Sequence, residues 1–257
     1  RTAITALTFT PDGRRLLSGS VSSDVRQWNP DTGETVNSYE GRSVRDIAVA
    51  DGGGWFAFAG MRSTGAPSDL LQARSLSSAW WFRANGKLPT LHTSAAFASD
   101  GRTLYAGDPL GRLHARRIPA YSAADDPPSG GGELQTPGSV TLGDESVERL
   151  SFDRVSDGVV AGTSGGELIW VNPAPSLSVE DRVALFDSGV TALELASGGE
   201  YLAAGSFDGT LVVLDRHSRE RLLERSFDSQ ITALAFPPRI SLLTLPRVSG
   251  CTLNISL

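Results

Sequence analysis

The 257-residue sequence predicts an all-β fold assembled from repeated four-stranded antiparallel sheets. Three observations predict it. Short apolar runs end in a small residue and a glycine at Gly19, Gly60, Gly107, Gly162 and Gly205, recurring roughly every 40 to 55 residues. A second short run precedes each of these, with a Gly-containing turn signal between the two. Apolar spacing at i, i+3, i+4 and i+7 between helix caps is not sustained anywhere in the chain.

The first strand of each unit is carried by ITALTF at 4–9, VRDIAV at 44–49, TSAAFA at 93–98, VERLSF at 147–152 and VTALEL at 190–195, with a sixth, ITALAF, at 231–236. The turns that follow are Asp12-Gly13, Gly52-Gly53-Gly54, Asp100-Gly101, Asp157-Gly158 and Gly198-Gly199. Such pairs supply the positive φ of tight hairpins. A third run ends at Trp28, Ile118, Val171 or Leu214, and a more variable fourth follows, as at 34–40 and 220–227. In LAAG and VVAG the apolar character does not alternate, as expected of strands covered on both faces. Their small side chains suit sheets that crowd together around an axis.

Residues 4–36, ITALTFTPDGRRLLSGSVSSDVRQWNPDTGETV, and 190–215, VTALELASGGEYLAAGSFDGTLVVLD, resemble the WD40-repeat β-propeller family. The resemblance implies blades starting near 4, 44, 93, 147, 190 and 231. Residues 1–236 are then five complete blades plus a partial sixth, an incomplete ring of a seven-bladed propeller whose missing part lies outside this chain. It also implies a buried network of Asp, Trp, Ser or Thr and His, of which no unit keeps the whole set. Ser22 stands where the Asp beside Trp28 is expected, Leu214 replaces the Trp that would accompany Asp208, and Gly165 replaces another Asp.

Two segments interrupt the pattern, 62–69 and 123–138, and their Gly, Pro and Ser content predicts exposed loops. Residues 237–257 open on Pro237-Pro238-Arg239 and contain no Asp or Glu. They are either a degenerate end of the last blade or sequence foreign to the propeller.

A net charge of −6 offers no basic field for phosphates, which argues against direct nucleic-acid binding. Cys251 is the single cysteine, which excludes an intrachain disulfide and the Cys-based metal motifs, and fits a reducing compartment. The expected location is cytoplasmic, or nuclear in a eukaryote. No apolar run is long enough to span a bilayer, so no membrane partner is expected. Arg1 opens directly in patterned sequence without a leader, and a segment ahead of it stays open.

His92, His114 and His217 fall in different units without a companion in sequence and read as structural or surface residues. Ser18, Ser20 and Ser206 flank the small-Gly pairs and read as hairpin residues, since no nucleophile elbow surrounds them. Asp125-Asp126 and Asp144-Glu145 read as solvated loop pairs. No catalytic, cofactor-binding or metal-ligating residue is assigned, and no cofactor is expected. The one candidate for partner binding is Trp80, Trp81 and Arg83, weighed against a strand that buries alternate aromatics around Phe82. The resemblance implies a non-catalytic scaffold for proteins or peptides. Two alternatives stay open: a quinoprotein-like or enzymatic propeller, supported by LYAGDPLGRLHA and VVAGTSGGELIW, and a protein-glue subunit of an RNA-processing complex.

Overall fold

The computed structural model describes residues 3–21, 24–40, 43–60, 70–78, 80–84, 92–120, 131–196, 198–236, 242–246 and 252–256. They form five consecutive antiparallel sheets, and no helix occurs among them. Blade one comprises Ile4–Phe9, Leu16–Ser20, Val25–Trp28 and Thr35–Tyr39. Blade two is Val44–Val49, Trp55–Gly60, Leu70–Ser75 and Trp81–Arg83, and blade three is Ser94–Phe97, Thr103–Gly107, Arg112–Arg117 and Gln135–Thr141. Blade four runs Val147–Asp153, Gly158–Thr163, Glu167–Val171 and Val179–Ala184, and blade five Val190–Leu195, Tyr201–Ser206, Thr210–Asp215 and Arg221–Ser226. Leu242–Pro246 and Thr252–Ser256 pair as a separate hairpin.

First strands of successive blades lie side by side, which sets the blades around a common axis. The cores lie between blades. One cluster joins Val160, Leu168 and Trp170 of blade four to Val190, Leu193 and Leu195 of blade five. Each such aliphatic side chain contributes about 1.5–3 kcal/mol when fully buried. The small-Gly signal has its cause here: a Cβ at Gly19, Gly107, Gly162 or Gly205 would overlap the side chain of Val44, Val147, Val190 or Ile231 on the next first strand. In blade two the register corrects the sequence alignment. Ala59 pairs with Asp46 as Gly19 pairs with Ala6, so Ala59, and not Gly60, occupies the packing position.

Polar groups bind the inner strands at regular places. The hydroxyls of Thr5, Thr93 and Thr191 sit against the carbonyls of Gly19, Gly107 and Gly205 in their own blades at 3.2–3.3 Å. Each also reaches the next blade, at the carbonyls of Val44, Val147 and Ile231. Ser94 Oγ donates to Asp46 Oδ2 at 2.7 Å and accepts from Leu150 N at 3.0 Å, linking blades two, three and four. Arg154 of blade four donates to Asp51 of blade two, Nε to Oδ2 at 2.8 Å.

Residues 231–236, expected as a sixth first strand, make only an isolated bridge at Ala235. Ile231 is buried against blade five, with Leu234 and Phe236 packed on the same cluster. The expectation for 123–138 is partly overturned. Gly132–Glu133 adds in parallel to Phe82–Arg83 of blade two, and Gln135–Thr141 is the outer strand of blade three. The backbone bonds of these strands outweigh their loop-like composition. Residues 62–69 and 123–130, with Asp125 and Asp126, lie outside the described residues.

Candidate docking face at the fourth and fifth blades

One end of the ring is built from two kinds of segment: the turns between second and third strands, and the connections from a fourth strand to the next first strand. Gly209 shows why they fit together. Its φ of +92° is one that side chains rarely adopt, and a Cβ there would overlap the carbonyl of Phe227. Phe227 N in turn donates to Gly209 O at 3.0 Å. The Ser206 hydroxyl closes the turn by accepting from Thr210 N at 3.0 Å, the packing role expected of it. On the other side Phe207 N donates to Gly189 O at 2.9 Å, and Asp208 N to Ser188 Oγ at 3.3 Å. The turn is therefore clamped between two connections.

Beside this frame is a cavity of about 410 Å³ lined by Glu148, Arg149, Val190, Thr191, Phe207 and Gln230 among others. Phe207 is 65% exposed, although it sits in a rigid turn. Arg149 Nη1 is held by the carbonyl of Glu148 at 2.7 Å. Asp187 and Asp208 line an adjoining depression of about 300 Å³. The arrangement offers one aromatic surface, charges of both signs and a preformed hollow, the features by which a protein surface takes up a side chain of a partner. Sequence reasoning missed Phe207, because a phenyl in a turn carries no signal until its neighbours are placed.

The sequence candidates lie elsewhere. Trp81 and Arg83 are on the fourth strand of blade two, with Phe82 buried between them and Arg83 exposed. Trp80 stacks on Phe82 at 5.8 Å. The Trp81 ring lies 5.1 Å from the Arg74 guanidinium, which also lies 5.6 Å from the Tyr39 ring of blade one, and Gly131 is pressed against the indole. A packing role thus accounts for much of this aromatic group.

The histidines correct an expectation. His92 and His114 fall in one unit, the third, with their rings 5.6 Å apart and both buried. His114 Nε2 and Arg112 Nε each lie 2.9 Å from Asp108 Oδ2. Burial would raise the Asp108 carboxyl, but bonds from His114 and Arg112 hold it at about 2. Asp108 Oδ1 also accepts from Leu110 N and Arg112 N, so it closes its turn as Ser206 does in blade five. Among the described residues neither ring nitrogen of His92 has a hydrogen-bond partner, and burial, reinforced by His114 and Arg116, lowers its pKa to about 4. His217 is exposed. Among the described residues no group of three or more His, Cys, Asp or Glu is arranged to hold a metal.

Trp28 Nε1 donates to Ser18 Oγ at 2.8 Å, a surviving piece of the polar set that the repeat resemblance implies. A family model, described as WD domain, G-beta repeat, matches residues 1–29 and 183–215, two stretches that overlap the best-kept units. These two stretches match the WD40 repeat, in a chain whose fold is a β-propeller. Its fold is also that of the β-propeller domain of Cps50 (Swd1) from Myceliophteria thermophila, with a TM-score of 0.76 and 16% identity. The match covers 99% of this chain and 83% of that one. None of the curated proteins compared with it matches. Among the described residues no helix is long and apolar enough to cross a membrane.

Proposed function

We propose that this WD40 propeller is a non-catalytic scaffold in the cytoplasm or nucleus, and that a partner protein or peptide docks at the cavity between blades four and five. The observation that carries the reading is Phe207, 65% exposed at the mouth of a preformed hollow, beside Glu148 and Arg149. An exposed aromatic held in a hydrogen-bonded turn loses little freedom on binding, which favours its use as an anchor. WD40 propellers commonly bind proteins, and the acidic chain disfavours nucleic acid as the partner. Arg83, with Trp80 and Trp81, is a second proposed contact, at the fourth strand of blade two.

The test is capture with the immobilised full chain, with bound proteins identified by mass spectrometry. Phe207→Ala and Glu148→Gln are expected to remove a specific partner while the melting temperature stays within a few degrees of the parent, as is usual for surface substitutions. Arg83→Ala is expected to weaken the same capture. If both cavity variants retain the parent's partners, docking at this face is wrong.

A further inference from the structure

The clamp at Gly209 recurs in two earlier units. A Cβ at Gly111 would overlap the carbonyls of Gly143 and Glu145, and one at Gly166 those of Phe186 and Ser188, as one at Gly209 would overlap those of Phe227 and Ser229. Between each pair of carbonyls stands an aspartate, Asp144, Asp187 or Asp228, and all three are exposed. Three successive connections therefore present a carboxylate at the same place, ahead of Val147, Val190 and Ile231, and the backbone clamp fixes that place.

More carboxylates surround the exposed phenyl ring of Phe207. Asp187 and Asp208 share the depression that adjoins its cavity, and Glu148 lines the cavity itself. Glu145 Oε2 accepts from the hydroxyl of Ser164, another lining residue, at 2.7 Å. The arginines that line the two hollows are engaged within the chain. Arg149 Nη1 donates to Glu148 O at 2.7 Å, and Arg221 donates from Nη1 to Glu224 Oε2 at 3.1 Å and from Nη2 to Leu185 O at 3.2 Å. The field at Phe207 is therefore negative, which repels an acidic segment and draws a basic one.

We infer that the partner segment taken up at Phe207 is basic and places an arginine in this cavity, an inference that rests on the docking reading above. The aliphatic stem fills the hollow, the guanidinium lies over the phenyl face, and the carboxylates of Asp187 and Asp208 stand beside it. An aromatic face attracts a cation, and a planar guanidinium can stack on the ring while its fork reaches a carboxylate. A lysine ammonium offers a point charge without the fork. A neutral apolar side chain would fill the hollow and leave the surrounding carboxylates unanswered.

The test titrates the full chain with pools of blocked heptapeptides that have random small and apolar flanks and a fixed central arginine, citrulline or glutamate. Ring resonances of Phe207, assigned by their loss in Phe207→Ala, are followed by NMR. The arginine pool is expected to shift them and to bind about tenfold more tightly than the citrulline pool, which keeps the shape without the charge. Its affinity should fall several-fold as sodium chloride rises from about 0.05 to 0.5 M. Asp187→Asn/Asp208→Asn keeps an acceptor oxygen for Thr210 N, so it should weaken the arginine pool several-fold at an unchanged melting temperature. Equal binding of the citrulline pool, or preference for the glutamate pool, would overturn the basic partner while docking at this face stands. A Phe207 signal that no pool moves would overturn it as well, and capture with Phe207→Ala then decides separately whether docking at this face falls with it.

Discussion

Arg216 of blade five donates from Nε to Oδ2 of Asp153 in blade four at 2.5 Å, and both side chains are almost fully buried. Burial alone would raise the Asp153 carboxyl, but bonds from Ser156, Val155 N and Arg216 keep it low. Removing one member of such a pair strands the other charge away from water. Arg216→Met is expected to lower unfolding free energy by about 3 kcal/mol, measured by urea denaturation. With Asp153→Leu added, much of the loss should return, because the uncompensated charge is gone.

His92 precedes Thr93 as Ile4 precedes Thr5 and Val190 precedes Thr191, so an imidazole occupies a place that other blades give to an aliphatic group. Among the described residues its two nitrogens are buried without partners. His92→Val is expected to stabilise the fold by about 1–2 kcal/mol, the penalty of an unsatisfied buried polar group. The folded pKa of about 4 lies below that of an unfolded histidine, so the unfolded chain binds more protons between the two values. Parent stability should fall as pH drops from about 6.5 to 4, and the variant should lose that part of the slope. An equal slope in both proteins would contradict the assignment.

Glu194 on the first strand of blade five shows the opposite sign. Burial raises its pKa to about 7, against a lowering pull from Arg154. The folded state then binds more protons than the unfolded state between the ordinary carboxylate range and neutrality, so this group lowers stability as pH rises through that window. Glu194→Gln is expected to gain on the order of 1 kcal/mol at pH 8 and nothing below pH 4. Thermal melts of both proteins across that range provide the check.

Gly162 lies against Val190, and a Cβ there would meet the valine side chain. Gly162→Ala is expected to cost about 1–3 kcal/mol through overpacking. The companion Gly162→Ala/Val190→Ala should recover part of the loss, since it removes the colliding methyl groups. Recovery in the double variant distinguishes a steric interface from a purely conformational role of glycine, which the partner change would not relieve.

The repeated hairpins were legible because their signals are local. Turn glycines such as Gly13 and Gly101 take positive φ where the sequence places them, and the strands flanking them pair as expected. Blade two was less legible. FAFAG contains two small residues, and only the neighbouring strand decides that Ala59 takes the packing position. Residues 131–138 resemble a loop in composition, but hydrogen bonds from Phe82–Arg83 and Arg112–Arg117 draw them into strands. The cavity was not legible at all, since Glu148, Phe207 and Gln230 come from a strand, a turn and a connection far apart in the chain.

By itself, then, the sequence determined the unit: its strands, its hairpin turns and the small residues that let units stack. These depend on backbone preferences and on pairing between near neighbours in the chain. The tertiary structure alone decided the relations between units. It brought His92 and His114 together beside Asp108, set Phe207 at the rim of a hollow, and left Ile4, Leu7 and Phe9 uncovered. Those outcomes depend on which faces meet across the axis, through connections whose composition carries no record of the contact.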